Sequence, residues 1–139
     1  LVIDIDYFKR VNDTYGHSVG DDIIQTIGNI VKDEARTIDK VARFGGEEFV
    51  VLMRDTELEG PSILAERIRS RIADALIQHR EHGTIHVTVS IGAAMAAAQD
   101  RDIQDVIERA DRALYEAKSL GRNRVVLSGM PSASDSLAA

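Results

Sequence analysis

The chain has 139 residues, 44% hydrophobic and 29% charged, which is the composition of one globular domain and excludes a disordered segment or a rod. Cysteine is absent, so disulfide frameworks, thiolate nucleophiles and cysteine zinc sites are excluded, and a reducing compartment is expected. The formal net charge of −6 disfavours a nucleic-acid polymer as partner. Any anionic ligand must therefore be held by local cations or by a metal.

Hydrophobic spacing predicts that strands and helices alternate along the chain. Apolar residues three and four apart indicate helices over 6–14, 21–35, 60–76 and 103–117. Apolar or alternating runs indicate strands over 1–4, 40–44, 48–53, 84–91 and 124–127. This order predicts an α+β fold, an α/β sandwich in which helices flank a mixed sheet. Residues 128–139 are small and polar, and we expect them to form a disordered tail.

Acidic residues occur where two of the predicted strands begin or end. Asp4 closes the first strand, and Glu47 and Glu48 follow the glycine pair Gly45-Gly46 in a predicted hairpin. The two glycines permit a tight reversal with positive φ angles. Carboxylates from separate elements can meet to hold Mg²⁺, which prefers oxygen ligands. A solvated turn that carries a chance pair of acids is the alternative that these residues alone leave open.

Longer motifs surround these acids. They read Asp-Ile-Asp-Tyr-Phe-Lys-Arg-Val-Asn-Asp over 4–13, Tyr-Gly-His-Ser-Val-Gly-Asp over 15–21, Arg-Phe-Gly-Gly-Glu-Glu-Phe over 43–49, Val-Ser-Ile-Gly-Ala over 89–93, Ala-Asp-Arg-Ala-Leu-Tyr-Glu-Ala-Lys over 110–118 and Gly-Arg-Asn over 121–123. Together they resemble the GGDEF family of diguanylate cyclases, in its GGEEF form, over residues 1–127.

The resemblance implies a fold and an activity. The fold is a five-stranded sheet with flanking helices, ferredoxin-like and similar to the palm of polymerases and to nucleotide cyclases. In the activity, a homodimer holds one GTP on Mg²⁺ or Mn²⁺ in each domain and joins the two into cyclic di-GMP and two pyrophosphates. The family carries an N-terminal helix and turn before its first strand, and we interpret this chain as a fragment that lacks them. We also expect an upstream sensor or receiver domain and a cytoplasmic catalytic domain.

The resemblance also assigns roles to individual residues. Asp4, Glu47 and Glu48 are implied to be catalytic, and the metal ligands are implied to be Asp4, the Ile5 carbonyl, Glu47 and Glu48. Whether Glu47 binds metal or activates the ribose 3′-hydroxyl stays open. The implied substrate-binding residues are Phe8, Lys9, Asn12, Asp21, Gly45, Gly46, Lys118 and Arg122.

Two of these groups have simple structural alternatives. Asn12 and Asp21 match the pair that recognises guanine. A carboxylate can accept hydrogen bonds from the N1–H and the exocyclic amine of guanine, whereas adenine has no N1–H to donate. Asp21 could instead be a helix-start carboxylate that favours the helix dipole. Lys118 and Arg122 match phosphate ligands, but they could simply complement the carbonyls at the end of the last helix.

A further motif, Arg36-Thr37-Ile38-Asp39, precedes the hairpin. The family uses this RxxD tetrapeptide at this spacing as an inhibitory site for its product, and Arg67 matches the accessory arginine of that site. For these residues, an exposed ion pair is the alternative.

For the function of the chain, the alternative is a receptor module that binds GTP or cyclic di-GMP without turnover. The intact Gly-Gly-Glu-Glu-Phe sequence favours the enzyme.

Overall fold

The computed structural model describes residues 1–129, which form a central sheet covered by helices. The helices in this range are α1 (Phe8–Tyr15), α2 (His17–Glu34), α3 (Gly60–Asp74) and α4 (Ile103–Ser119). The strands are β1 (Val2–Ile5), β2 (Lys40–Arg43), β3 (Glu48–Leu52), β4 (Ile77–His79), β5 (Gly83–Ile85), β6 (Val89–Ala93) and β7 (Val125–Leu127). The predicted tail at 128–139 lies outside the described residues from position 130 onward. None of the helices in residues 1–129 is long and apolar enough to cross a membrane.

Five strands form one mixed sheet in the order β2-β3-β1-β6-β7. β1 lies at the centre, antiparallel to β3 and to β6, whereas β6 and β7 run parallel. The predicted α+β fold with a five-stranded mixed sheet and flanking helices is therefore confirmed. Because β1 is central, the acidic residue at its end has strands on both sides.

The two faces of the sheet have separate cores, because successive side chains of a strand point to opposite faces. Ile3 and Ile5 belong to the large apolar core that includes buried residues of α1, α2 and α3. Val2 and Val50 pack on the other face against α4. Asp4 lies on the same face of β1 as Val2, two residues farther along the strand and beyond this second core, so it faces the end of α4.

Helix α4 approaches the sheet more closely than ordinary side chains would allow. Gly92 of β6 lies beneath it, and a Cβ added at this glycine would collide with main-chain atoms of Ala110 and Leu114. Main-chain atoms cannot swing aside as the end of a flexible side chain can. Gly92 therefore fixes the distance between α4 and the sheet.

The prediction of a single strand over 84–91 is wrong. β5 ends at Ile85 and pairs with β4 in a separate two-stranded sheet, and β6 begins only at Val89. Ile85, Val87, Val89 and Ile91 are nevertheless all buried. The alternation therefore indicates that every second side chain is buried. This burial continues across residues 86–88, although these residues belong to no strand. Helix α2 also starts earlier than predicted, at His17.

Candidate active site

Asp4 and two glutamates meet at one end of the sheet. Asp4 is the direct cross-strand partner of Glu48, so both side chains lie on the α4 face. The N–H of Ile5 donates to the Glu47 carbonyl at 3.3 Å, which holds the end of the hairpin against β1. Asp4 is only 5% exposed, whereas Glu47 and Glu48 are half-buried. The sheet register therefore places Asp4 and Glu48 side by side, and Glu47 lies close enough for the charge of Asp4 to raise its pKa.

This cluster carries more negative charge than its protein neighbours neutralise. Lys118, in the last turn of α4, forms an ion pair with Asp4, with 3.1 Å between Nζ and Oδ2. The other oxygen, Oδ1, is buried and has no hydrogen-bond partner among residues 1–129. Burial and the charge of Asp4 raise the pKa of both Glu47 and Glu48 above the usual range, and Lys118 opposes this only in part. The negative charge of Asp111 adds to the effect on the pKa of Glu48.

The donor chemistry of the cluster fits a hard divalent cation. The predicted ligands are all oxygens, and the buried Oδ1 of Asp4 is an acceptor for which the described residues supply no donor. Within residues 1–129, no three Asp, Glu or His side chains converge closely enough to enclose an ion by themselves. Mg²⁺ keeps several waters and binds through one or two carboxylates together with substrate phosphates, so an incomplete protein cage suits it.

The loop that carries the two glutamates is closed by Arg43. This side chain donates from Nε to the Gly45 carbonyl at 3.2 Å and from Nη2 to the Gly46 carbonyl at 2.6 Å. Neither Gly45 nor Gly46 has a positive φ, so the turn does not use the left-handed freedom that the two glycines permit. A Cβ added at Gly46 would meet nothing within 4 Å. The loop therefore presents bare main chain to the space beside the acids.

The predicted guanine-reading residues lie on α1 and α2. Asn12 packs against Gly20, where an added Cβ would collide with the Asn12 side-chain oxygen. That oxygen is buried and has no hydrogen-bond partner in the described structure. Asp21 is exposed and lies in the second turn of α2, so the helix-start explanation for it is wrong. The Phe8 ring is buried in the core, which leaves only its main chain available to a ligand.

The predicted phosphate ligands lie around the end of β1. Lys118 binds Asp4, so it does more than complement the helix dipole. The guanidinium of Arg122 lies over the ring of Tyr7, with Cζ 4.5 Å from the ring centroid. Lys9 is exposed on α1. Lys118 and Arg122 thus contact the end of β1 and the residues after it, through Asp4 and Tyr7.

The RxxD residues form a closed ion pair. Arg36 donates from Nη2 to Asp39 Oδ1 at 2.8 Å and from its main-chain N–H to Oδ2 at 2.8 Å. These bonds lower the pKa of Asp39 below its usual value. Arg36 Nη2 also donates to the Arg54 carbonyl and to Thr56 Oγ1, each at 2.7 Å. Arg36 and Arg67 line the same cleft, which has a volume of about 300 Å³.

Two further residues contribute to these sites but were not among the predicted site residues. Glu34 accepts from Arg67 Nη2 at 2.6 Å and from Arg71 Nη1 at 3.1 Å, and no motif indicates this contact between α2 and α3. Gly20 had a signal, because it directly precedes Asp21 in the Val-Gly-Asp motif. Its effect on Asn12 depends on how α1 packs against α2.

Comparison with known proteins agrees with the fold and with the motifs. The family model "Diguanylate cyclase, GGDEF domain" matches residues 1–124. Diguanylate cyclase A of Treponema denticola is 44% identical over 128 residues, which cover 92% of this chain and 34% of that protein. The chain therefore spans about a third of the length of this curated relative.

Two solved structures are similar over almost the whole chain. The GGDEF domain of DgcB from Caulobacter crescentus, in complex with c-di-GMP, matches with a TM-score of 0.87 and 35% identity, covering 91% of this chain and 75% of that one. An active GGEEF domain of a diguanylate cyclase from Vibrio cholerae matches with a TM-score of 0.84 and 35% identity, covering 93% and 81%. With the family match over residues 1–124, these similarities show that the chain belongs to the GGDEF domain family of diguanylate cyclases.

Proposed function

We propose that this chain is the catalytic domain of a diguanylate cyclase that condenses two GTP molecules into cyclic di-GMP with release of two pyrophosphates. The observation that carries the proposal is the cross-strand pair of Asp4 and Glu48, in which one buried Asp4 oxygen has no partner within the part of the chain that the structure describes. A receptor module needs no such surplus of carboxylates beside a phosphate ligand. A cyclase needs it to bind metal and to organise the reacting groups.

The carboxylate cluster has the central role in this mechanism. Asp4, the Ile5 carbonyl, Glu47 and Glu48 would hold Mg²⁺ or Mn²⁺, which when bound polarises the α-phosphate and neutralises the leaving pyrophosphate. Lys118 and Arg122 bind the terminal phosphates and add positive charge where pyrophosphate departs. Glu47 completes the oxygen ligands or accepts the proton of the attacking 3′-hydroxyl. Both roles require its ionised carboxylate.

Asn12 and Asp21 select the base. The unpartnered side-chain oxygen of Asn12 accepts a hydrogen bond from guanine, and the exposed carboxylate of Asp21 accepts from N1–H and the exocyclic amine. Adenine has no N1–H, so its binding would leave these acceptors without donors. Lys9 and the main chain at Gly45 and Gly46 complete the nucleotide contacts.

The product has a second site in this proposal. Cyclic di-GMP binds at Arg36 and Asp39 together with Arg67, and holds two domains of a homodimer apart so that their GTP molecules cannot meet. The shared cleft of Arg36 and Arg67 supports this assignment. The test is a set of progress curves with added cyclic di-GMP for the wild type and for Arg67→Ala. An equal inhibition constant for both proteins would contradict it.

The cyclase activity is tested with GTP and Mg²⁺ on the full-length protein, with chromatographic identification of the products. Glu48→Gln keeps the side-chain shape and removes the charge, and we expect it to lower the rate by about a hundredfold or more. Glu116→Gln, at an exposed position of α4, is the matched control and should retain full activity. Unchanged turnover in Glu48→Gln would refute the metal assignment. GTP binding without any cyclic product in the wild type would support the receptor alternative instead.

A further inference from the structure

Asp6 is a buried acid to which the proposed mechanism gives no role. It is 4% exposed and directly follows β1. Its carboxylate accepts hydrogen bonds from Thr88 Oγ1 at 2.7 Å, Ser90 Oγ at 2.6 Å and the main-chain N–H of Asn123 at 3.0 Å. None of the ion pairs found within residues 1–129 includes Asp6. A buried carboxylate that depends on neutral donors requires each of them, because desolvation otherwise opposes its charge.

The bond to Asn123 ties Asp6 to the turn that follows α4. This turn contains three consecutive residues with positive φ: Gly121 at 120°, Arg122 at 66° and Asn123 at 46°. Arg122 and Asn123 have side chains, which disfavour this backbone region. Such a conformation persists only where its surroundings impose it. Asp6 holds the main chain of Asn123, and Arg69 Nη1 holds its side-chain oxygen at 2.8 Å.

Tyr7 contacts the same turn through the side chain of Arg122. Its ring is half exposed and makes cation–π contacts with two guanidinium groups, those of Arg10 and Arg122, each with Cζ 4.5 Å from the ring centroid. Tyr7 itself has a φ of 54°, and this left-handed conformation orients the ring as the chain leaves β1. Arg122 thus makes a cation–π contact with Tyr7, and a guanidinium that packs with its flat face on a ring keeps its N–H edges available for hydrogen bonds.

We propose that Asp6 and Tyr7 are positioning residues for Arg122. Asp6 sets the backbone of the turn through Asn123, and Tyr7 fixes the plane of the guanidinium, so that its N–H groups point to the phosphates of the nucleotide. The inference rests on the proposed function, in which Arg122 binds phosphate. It separates the two acids of the Asp-Ile-Asp sequence: Asp4 belongs to the metal site, and Asp6 acts on phosphate binding through the far end of α4.

The first test compares two ligands that differ in their terminal phosphates: GTP with a methylene group between the α- and β-phosphates, and GMP, both with Mg²⁺. Tyr7→Leu removes the ring at a half-exposed position, and we expect about tenfold weaker binding of the GTP analogue with unchanged GMP binding. Tyr7→Phe keeps the ring and should bind both ligands as the wild type does. Equal loss for GMP, or no loss for either ligand, would overturn the inference.

The second test concerns Asp6. Asp6→Ala should weaken the GTP analogue by about tenfold, and Asp6→Asn should stay within about twofold of the wild type, because an amide oxygen can accept the Asn123 and Thr88 bonds while its NH₂ donates to the Ser90 hydroxyl. Ser90→Ala is the control, since Ser90 donates to Oδ1 of Asp6 whereas the turn donates to Oδ2: it should lower the free energy of unfolding but keep binding of the GTP analogue within about twofold of the wild type. If Asp6→Ala does not fold, Asp6→Asn and Tyr7→Leu are compared instead. A tenfold loss of affinity for the GTP analogue in Asp6→Asn would contradict the hydrogen bonds assigned to Asp6.

A double-mutant cycle separates this inference from the function on which it rests. If Arg122→Ala alone leaves binding of the GTP analogue unchanged, the proposed phosphate role of Arg122 is wrong. If Arg122→Ala weakens binding, Asp6→Ala should add little in the Arg122→Ala background, because both act on the same contact. Fully additive losses would show that Asp6 does not act through Arg122 and would overturn the inference alone.

Discussion

The RxxD ion pair leads to a prediction about stability that affects every test of the product site. Arg36→Ala removes the guanidinium from Asp39, whose side chain has 0% exposure. The main-chain N–H of residue 36 remains as a donor to Oδ2, but Oδ1 loses its partner. An unpartnered buried acceptor costs about 1–3 kcal/mol, and the 42% exposure of the Arg36 side chain allows water to screen part of that loss. We therefore expect Arg36→Ala to lower the free energy of unfolding by about 2 kcal/mol.

The double variant Arg36→Ala/Asp39→Asn should be more stable than Arg36→Ala. Asparagine is neutral, and its oxygen can still accept from the N–H of residue 36, so we expect a total loss of about 1 kcal/mol. Urea unfolding followed by circular dichroism measures both values. Arg112→Ala, at an exposed position of α4, is the control for loss of an arginine and should cost less than about 0.5 kcal/mol.

The pH dependence has a definite sign. Arg36 lowers the pKa of Asp39 below its usual value, so the ion pair stabilises the fold above the usual pKa of an aspartate, and its contribution disappears as the pH falls through the lowered pKa. The stability difference between the wild type and Arg36→Ala should therefore narrow below about pH 4. The reasoning is refuted if Arg36→Ala is as stable as Arg112→Ala, or if the double variant is no more stable than the single one.

Three further predictions concern the nucleotide and product sites. Asp21→Asn should reduce the preference for GTP over ATP by about 1–3 kcal/mol in binding titrations, and an unchanged ratio would remove Asp21 from base recognition. Gly20→Ala should displace the Asn12 side chain, so both the unfolding free energy and the affinity for GTP should fall; a loss of stability with unaltered affinity would contradict the role of Asn12. Glu34→Gln should release Arg67 from its ion pair and lower the inhibition constant for cyclic di-GMP several-fold, as measured from progress curves. An unchanged constant would mean that Glu34 does not compete with the product.

The parts of the site that depend on strand ends could be predicted from the sequence. Asp4 ends one continuous apolar run and Glu48 begins another, and the two runs form the neighbouring strands β1 and β3, in which these residues are partners. The ion pair of Lys118 with Asp4 could not be predicted from spacing, because it depends on the closeness of α4 to β6 at Gly92.

The remaining differences have local physical causes. Hydrophobic alternation over 84–91 indicates which side chains are buried, but it does not reveal that strand pairing is interrupted between β5 and β6. The turn at Gly45 and Gly46 is stabilised by the Arg43 side chain, and composition alone does not indicate that contact. Glu34 binds arginines on another helix, which requires knowledge of how α2 packs against α3.

Helix α4 contacts the sheet at Gly92, so a larger side chain at this position would tilt the helix and move its C-terminal end. Lys118 lies about 12 Å farther along the helix than Ala110, at a rise of about 1.5 Å per residue. A side chain at position 92 that tilted the helix by about 10° would displace Lys118 by about 2 Å, enough to break the 3.1 Å ion pair with Asp4. A single methyl group placed under the middle of α4 would thus separate the cation from the acid without altering either residue.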